Sequence, residues 1–239
     1  MRTIKKVASH IFIDGFGGMT QGLFATLIIG TMIQQIGLLI GGSTGNVIYL
    51  LGKAAAALTS AGIGVGVAVK YGESPLVTVS AAVAAMVGGY AGKITGGTFF
   101  VDGNAVLAGP GEPLGAFIAA FAGITCGHLV SGKTKVDIIV TPVITIGAGS
   151  VVGLLVGPPI SQMMTGLGSI INWATEQRPF IMGIVVSVVM GMVLTLPISS
   201  AALGIILNLS GLAAGAATIG CCCNMVAVSY THLRAHETL

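Results

Sequence analysis

A chain of 239 residues in which 54 % of side chains are hydrophobic and 7 % are charged lacks the polar surface that a soluble domain of this length needs. The net charge is +3 and the mean hydropathy +0.99, with apolar runs spread over the whole length, so the expected class is an all-α, polytopic membrane helical bundle. The 38 glycines suit close helix approach in lipid, and the four cysteines, three of them adjacent at Cys221, Cys222 and Cys223, form no secreted disulfide framework. No nucleic-acid partner and no cofactor is expected.

Arg2, Lys5 and Lys6 precede a weakly apolar stretch that lacks a small-residue cleavage pattern and is broken by Asp14, so the N-terminus reads as a lead-in rather than a signal peptide. The first span is expected from about Met19 to Ile40. Its Gln21, Gln34 and Gln35 suit interhelical hydrogen bonding. The second apolar run, Val47 to Val69, carries Lys53, which either snorkels to the interface or serves as an intramembrane ammonium. The third, Leu76 to about Ile94, has Gly88, Gly92 and Gly96 at every fourth residue, a helix-packing stripe.

Thr98 to Gly115 (TFFVDGNAVLAGPGEPLG) is the long polar, Gly/Pro-broken interruption of the apolar sequence. It carries Asp102, Asn104 and Glu112. Acidic groups between apolar runs must find water, a partner or a ligand, and irregular backbone near membrane depth lines a cavity or is covered by protein. These three are the candidate substrate-binding residues, and the stretch reads either as a re-entrant-type loop at a site or as an ordinary solvated loop.

The fourth run, Leu114 to Val130, ends near His128, Lys133 and Lys135, where the histidine suits an interfacial or capping role better than a ligand role. The fifth, Ile138 to Leu155, contains Pro142 and a small-residue ladder at Gly149, Gly153 and Gly157, and closes at Gly157-Pro158-Pro159. Ser161 to Gln177, with Trp173 and Glu176, is less apolar and reads as an interfacial helix or a second re-entrant element. Two more runs, Pro179 to Leu196 and Ile198 to about Ala227, bring the count to about seven transmembrane helices.

Lys and Arg near the span ends favour a cytoplasmic N-terminus: Arg2, Lys5, Lys6, Lys70, Lys133 and Lys135 then lie inside, and Lys93 and Arg178 outside. Asp102 to Glu112 then faces outward. The final residues, 228–239 (VSYTHLRAHETL), break abruptly from the preceding sequence and look like translated sequencing-adapter sequence. The expected organisation is therefore a membrane domain over 1–227, continuing natively past Met225, and a non-native tail over 228–239. Setting the tail aside also removes an apparent zinc pattern of Cys221, Cys222, Cys223, His232 and His236, so no metal site is expected.

The stretches GFGGMTQGLFATLIIGTMIQQIG, GNVIYLLGKAAAALTSAGIGVGVA, DGNAVLAGPGEPLGAFIAAFAG, GKTKVDIIVTPVITIGAGSVVGLLVGPPI and RPFIMGIVVSVVMGMVLTLPISSAALGIIL, in this order, resemble the IIC-like (EIIC) membrane proteins of the sugar phosphotransferase system (PTS). The closer likeness is to a divergent branch that includes perfringolysin-regulator-like proteins. The resemblance implies a homodimeric sugar permease component in a bacterial cytoplasmic membrane, served by separate IIB and IIA phosphocarrier proteins. Any enzymatic role is then at most a share in a phosphohistidine-dependent sugar phosphotransferase. It also implies that Glu112, in the G-x-x-E-P type element Gly109-Pro110-Gly111-Glu112-Pro113, binds the sugar, although in better-characterised relatives that element lies later in the chain. A membrane sensor with the same fold and a phosphotransfer-independent transporter of small metabolites stand as alternatives.

Overall fold

The computed structural model describes residues 14–101, 104–107, 109–193, 204, 207 and 209–237. Among them the backbone is almost entirely helical, and the chain falls into two compact units, Met1–Ser161 and Gln162–Leu239.

In the first unit α1 (Phe16–Leu23) passes through a π-helical segment, Phe24–Ile28, into α2 (Ile29–Ile40). α3 (Gly42–Ala57) and α4 (Thr59–Lys70) follow, then α5 (Pro75–Gly89), the short α6 (Ala91–Thr95), and a two-strand hairpin, β1 (Phe100–Val101) and β2 (Asn104–Ala105). The strands pair antiparallel, Phe100 opposite Ala105 and Val101 opposite Asn104. α7 (Pro113–Val130) and α8 (Asp137–Gln177) complete the series, α8 running on past the boundary between the units.

Backbone-to-backbone approach at glycine holds this unit together. A Cβ on Gly18 would lie 2.6 Å from the Gly66 carbonyl oxygen, so α1 and α4 cross at main-chain contact. On α2 and α3, Gly37 meets the Tyr49 nitrogen and Gly52 the Gly30 carbonyl, each at 2.5 Å from the Cβ that is missing. The connecting Gly41 and Gly42 both have φ of +64°, a left-handed backbone that a side chain would strain. α7 presents Gly115, Ala119, Gly123 and Gly127 at every fourth residue, against Thr145, Gly149, Gly153 and Gly157 of α8 and Ala84 and Gly88 of α5. With a side chain pair this small the helix axes come close enough for extended van der Waals contact, the main source of helix affinity where lipid removes the hydrophobic drive. Outward faces, such as Leu38, Leu39 and Val79, are exposed and suit lipid.

Several buried hydroxyls are satisfied by carbonyls three or four residues back along the chain, as an apolar surrounding demands. Thr59 donates to the Ala56 carbonyl at 2.6 Å, Ser80 to Leu76 at 2.7 Å and Thr145 to Thr141 at 2.8 Å. Thr141 donates to Asp137 Oδ1, which also accepts from the Gly132 amide and so closes the turn before α8.

The second unit pairs α9 (Pro179–Val193) with α10 (Gly211–Glu237). Val186, Met190 and Ala217 form its core, flanked by Ile171, Leu209 and Ala216. Gly220 sits against the Ser187 backbone, and Asn172 Oδ1 accepts from the Ser210 amide at 3.1 Å.

The apolar runs read from the sequence recur as helices, with three differences of detail. Four helices are long and apolar enough to cross a membrane, or five if α3 and α4 count as one bent span, while α5 and Pro179–Met192 of α9 are shorter apolar helices. The Val47 to Val69 run bends by 52° at Leu58, where no glycine or proline marks a break. Second, the helical backbone of α8 continues through Pro158 and Pro159, so Ser161 to Gln177 is not a separate element. Third, α10 starts at Gly211 and reaches Glu237; the expected helix start at Ile198 lies outside the described residues.

The glycine contacts make a direct test. Gly149 lacks room for a Cβ, which would stand 2.6 Å from both the Ala119 carbonyl oxygen and Ala84 Cβ, whereas Gly147 has nothing within 4 Å. Gly149→Leu is expected to destabilise by at least about 1–3 kcal/mol, the usual cost of overpacking. Gly147→Leu should be near neutral. Thermal unfolding of the detergent-solubilised variants, followed by size-exclusion fluorescence, separates the two.

Candidate functional site

Three irregular stretches meet at one end of the first unit. One is the bend at Leu58 between α3 and α4. Another is Tyr90, which interrupts α5 and α6. The third is Gly109 to Glu112, which leads into α7 at Pro113, a favoured first helical residue because its missing N–H would have no partner there. Gly109 and Gly111 have φ of +80° and +76°, so the two glycines of this segment let the chain turn down onto α4 and α5.

Specific bonds seat the segment. The Glu112 amide donates to the Gly89 carbonyl at 2.7 Å, closing the last turn of α5. Ser60 Oγ donates to the Pro110 carbonyl at 3.0 Å. The Tyr90 hydroxyl lies against the Gly109 carbonyl oxygen and 3.1 Å from that of Ala57. Tyr90 is itself buried, tilted against Phe99 at 5.3 Å between ring centroids, with Lys93 Nζ 5.3 Å from its ring centre.

Glu112 is half-buried, and its Oε1 is a buried carboxylate oxygen without a hydrogen-bond partner. Among the described residues the other such side-chain atoms are Ser150 Oγ and Asn224 Nδ2, neither of them a carboxylate oxygen. Leaving a buried acceptor unsatisfied costs about 1–3 kcal/mol, more when it is charged. Burial pushes the carboxyl up to about 7, against the opposing effect of the Leu114 backbone N–H, so near neutral pH the protonated form, which avoids the larger cost, coexists with the carboxylate. At neutral pH the site therefore offers both a hydroxyl donor and a carbonyl acceptor.

Of the other residues singled out in the sequence, Asn104 stands exposed on β2 and does not reach Glu112 Oε1, and Asp102 lies outside the described residues. Ser60 and Tyr90, which shape the site, carry no sequence signal: one is a serine in an Ala/Gly-rich helix, the other an aromatic in a span. Their partners lie 50 and 19 positions away.

The opposite end of the unit gathers the basic turns. His128 Nδ1 lies 3.0 Å from Glu73 Oε1, and Ser74 and Ser131 share a hydrogen bond at 3.1 Å, so the α4–α5 and α7–α8 turns with Lys70, Lys133 and Lys135 lie together. His128 is thus an exposed ion-pair partner, in line with its interfacial reading. Tyr71, at the same end, is pushed up to about 12 by burial and by the neighbouring Asp14 charge. Lys53 is exposed on α3, as snorkelling requires.

The helices are those of a polytopic membrane protein. The family assignment is specific: a family model described as phosphotransferase system, EIIC, matches residues 13–238, and the chain belongs to that family. No curated protein and no solved structure matches it. Family membership makes the chain a multi-pass membrane component of the phosphotransferase system that works with other components of that system.

The titration of Glu112 sets a pH dependence. Because its carboxyl in the folded protein is raised to about 7 from an ordinary value of 4.5, its contribution to stability is complete below the ordinary value and is lost as pH rises through 7. Wild-type protein is expected to melt at lower temperature at pH 8 than at pH 5.5, and Glu112→Gln to lose most of that difference. Equal pH dependence in both proteins would mean that the carboxyl titrates normally.

Proposed function

We propose that this chain is the sugar permease component of a phosphotransferase system, binding a sugar from outside and presenting it to a phosphorylated IIB protein. The observation that carries this is the unpartnered Glu112 Oε1, held by backbone bonds at the meeting point of two interrupted helices. A sugar hydroxyl is the complement of such a group, since it both donates and accepts. Among the described residues neither the site nor its rim holds a cluster of arginines of the kind a phosphate or carboxylate ligand calls for, which agrees with an uncharged substrate entering before it is phosphorylated.

On this reading Glu112 binds the sugar directly, with Asp102 and Asn104 as further hydroxyl contacts. The phosphoryl group comes from the separate IIB protein, recharged by a IIA protein, and the permease contributes position: it holds one sugar hydroxyl where the donor can reach it. The N-terminus and the basic turns around Lys70 and Lys133 face the cytoplasm, the segment from Asp102 to Glu112 faces outward, and the working form is a homodimer in the bacterial cytoplasmic membrane.

Two measurements test the reading. Binding of a sugar panel to purified protein at pH 8, where the carboxylate predominates, should weaken at least about tenfold in Glu112→Gln, because one charge-assisted hydrogen bond is worth about 1.5–3 kcal/mol. Undiminished binding would remove Glu112 from the site. For topology, Asn104→Cys in a background lacking Cys126, Cys221, Cys222 and Cys223 should react with an impermeant maleimide in intact cells. Reaction only after permeabilisation would reverse the orientation.

A further inference from the structure

We propose that Tyr90 is the positioning residue of the site: its hydroxyl straps the Glu112-bearing segment to the bend between α3 and α4. The geometry carries this. One phenolic O–H faces two carbonyl oxygens, Gly109 in the segment and Ala57 at the last residue of α3. Ala57 immediately precedes the 52° bend, where the regular helical bonding pattern lapses and the Leu58 amide turns back to the Ala55 carbonyl at 3.2 Å. The hydroxyl therefore supplies the donor that the bend denies to Ala57, and the same proton is contested by Gly109.

Among the described residues the other bonds that seat the segment run elsewhere. Ser60 holds Pro110, and the Glu112 amide holds Gly89, but neither bond reaches α3. The ring is buried and tilted against Phe99, which fixes where the hydroxyl points. A change in the α3–α4 bend then moves the strap, and with it the depth at which the carboxyl sits. Tyr90 does not itself need to touch a ligand. The inference rests on the reading of Glu112 as the binding group, but its test needs no sugar.

Purified protein is treated in parallel with dicyclohexylcarbodiimide, which modifies carboxyls in apolar surroundings, and with a water-soluble carbodiimide, and labelling at Glu112 is followed by mass spectrometry. In wild type the apolar reagent should dominate. Tyr90→Phe keeps the ring and its packing and removes the donor; the ratio of apolar to aqueous labelling should fall roughly fivefold, the loss expected of one neutral hydrogen bond. A lower melting temperature with an unchanged ratio would make the hydroxyl structural only and overturn the proposal. Should Tyr90→Phe not purify, the same labelling ratio is read in membranes isolated from cells expressing it, and an unchanged ratio there overturns the proposal equally. If no sugar binds wild type while the ratio falls in Tyr90→Phe, the substrate reading fails and the strap stands.

Discussion

Main-chain contact between helices is the constraint from which the rest follows. At Gly18 against Gly66, Gly37 against Tyr49 and Gly149 against Ala119, a single added carbon would collide with backbone rather than with a side chain that could move aside. In lipid this closeness is what holds helices together, because the bilayer solvates an exposed leucine as well as a buried one does. The cost of the arrangement is steric: helices packed at such short distances cannot all remain straight and still cover one another. α3 and α4 bend at Leu58, and α5 gives way to α6 at Tyr90.

Each bend releases backbone groups that water cannot satisfy at this depth, so polar side chains must do so. Thr59 folds back on Ala56, Tyr90 reaches Ala57, and the amide of Glu112 takes up the carbonyl of Gly89. The candidate site is thus a by-product of closing the helix breaks. Its one unsatisfied carboxylate oxygen stands out against a background in which buried Thr59, Ser60, Ser80, Thr141, Thr145 and Thr175 all have partners.

Much of this architecture was legible from residue order because hydropathy and proline position are local signals. The Gly149, Gly153, Gly157 ladder follows from sequence alone, α7 starts at Pro113, one residue before the Leu114 read from the apolar run, and Glu112 was conspicuous as an acid between apolar runs. The bend at Leu58 was not legible: Ala54 to Ser60 contains no breaker, and the bend is imposed by packing and by a hydroxyl from a different helix. Pro158 and Pro159 misled in the opposite sense. As a pair they read as a helix end, yet the helical backbone passes through them, since a proline removes one donor without forbidding helical dihedrals on its C-terminal side. Ser60 and Tyr90 were invisible for a related reason: their importance lies in partners far along the chain, and neither residue type is unusual where it occurs.

The division of charge between the two ends of the first unit gives the site its chemical character. Lys70, Lys133 and Lys135 gather at the turns where His128 pairs with Glu73, and the other end keeps Glu112 among carbonyls, a phenol and a serine. A lysine beside Glu112 would fix the carboxylate in its charged form and pair it permanently; Lys93, at that end, has its ammonium 5.3 Å from the centre of the Tyr90 ring. Without a partner charge the carboxyl can be neutral when the site is empty and can ionise when donors arrive, which on the proposed reading lets it meet a ligand rich in hydroxyls in either state. An amide in its place would offer similar shape but no such change. On that reading, the difference is what an acid offers over an asparagine or glutamine at the position where the polar segment turns into α7.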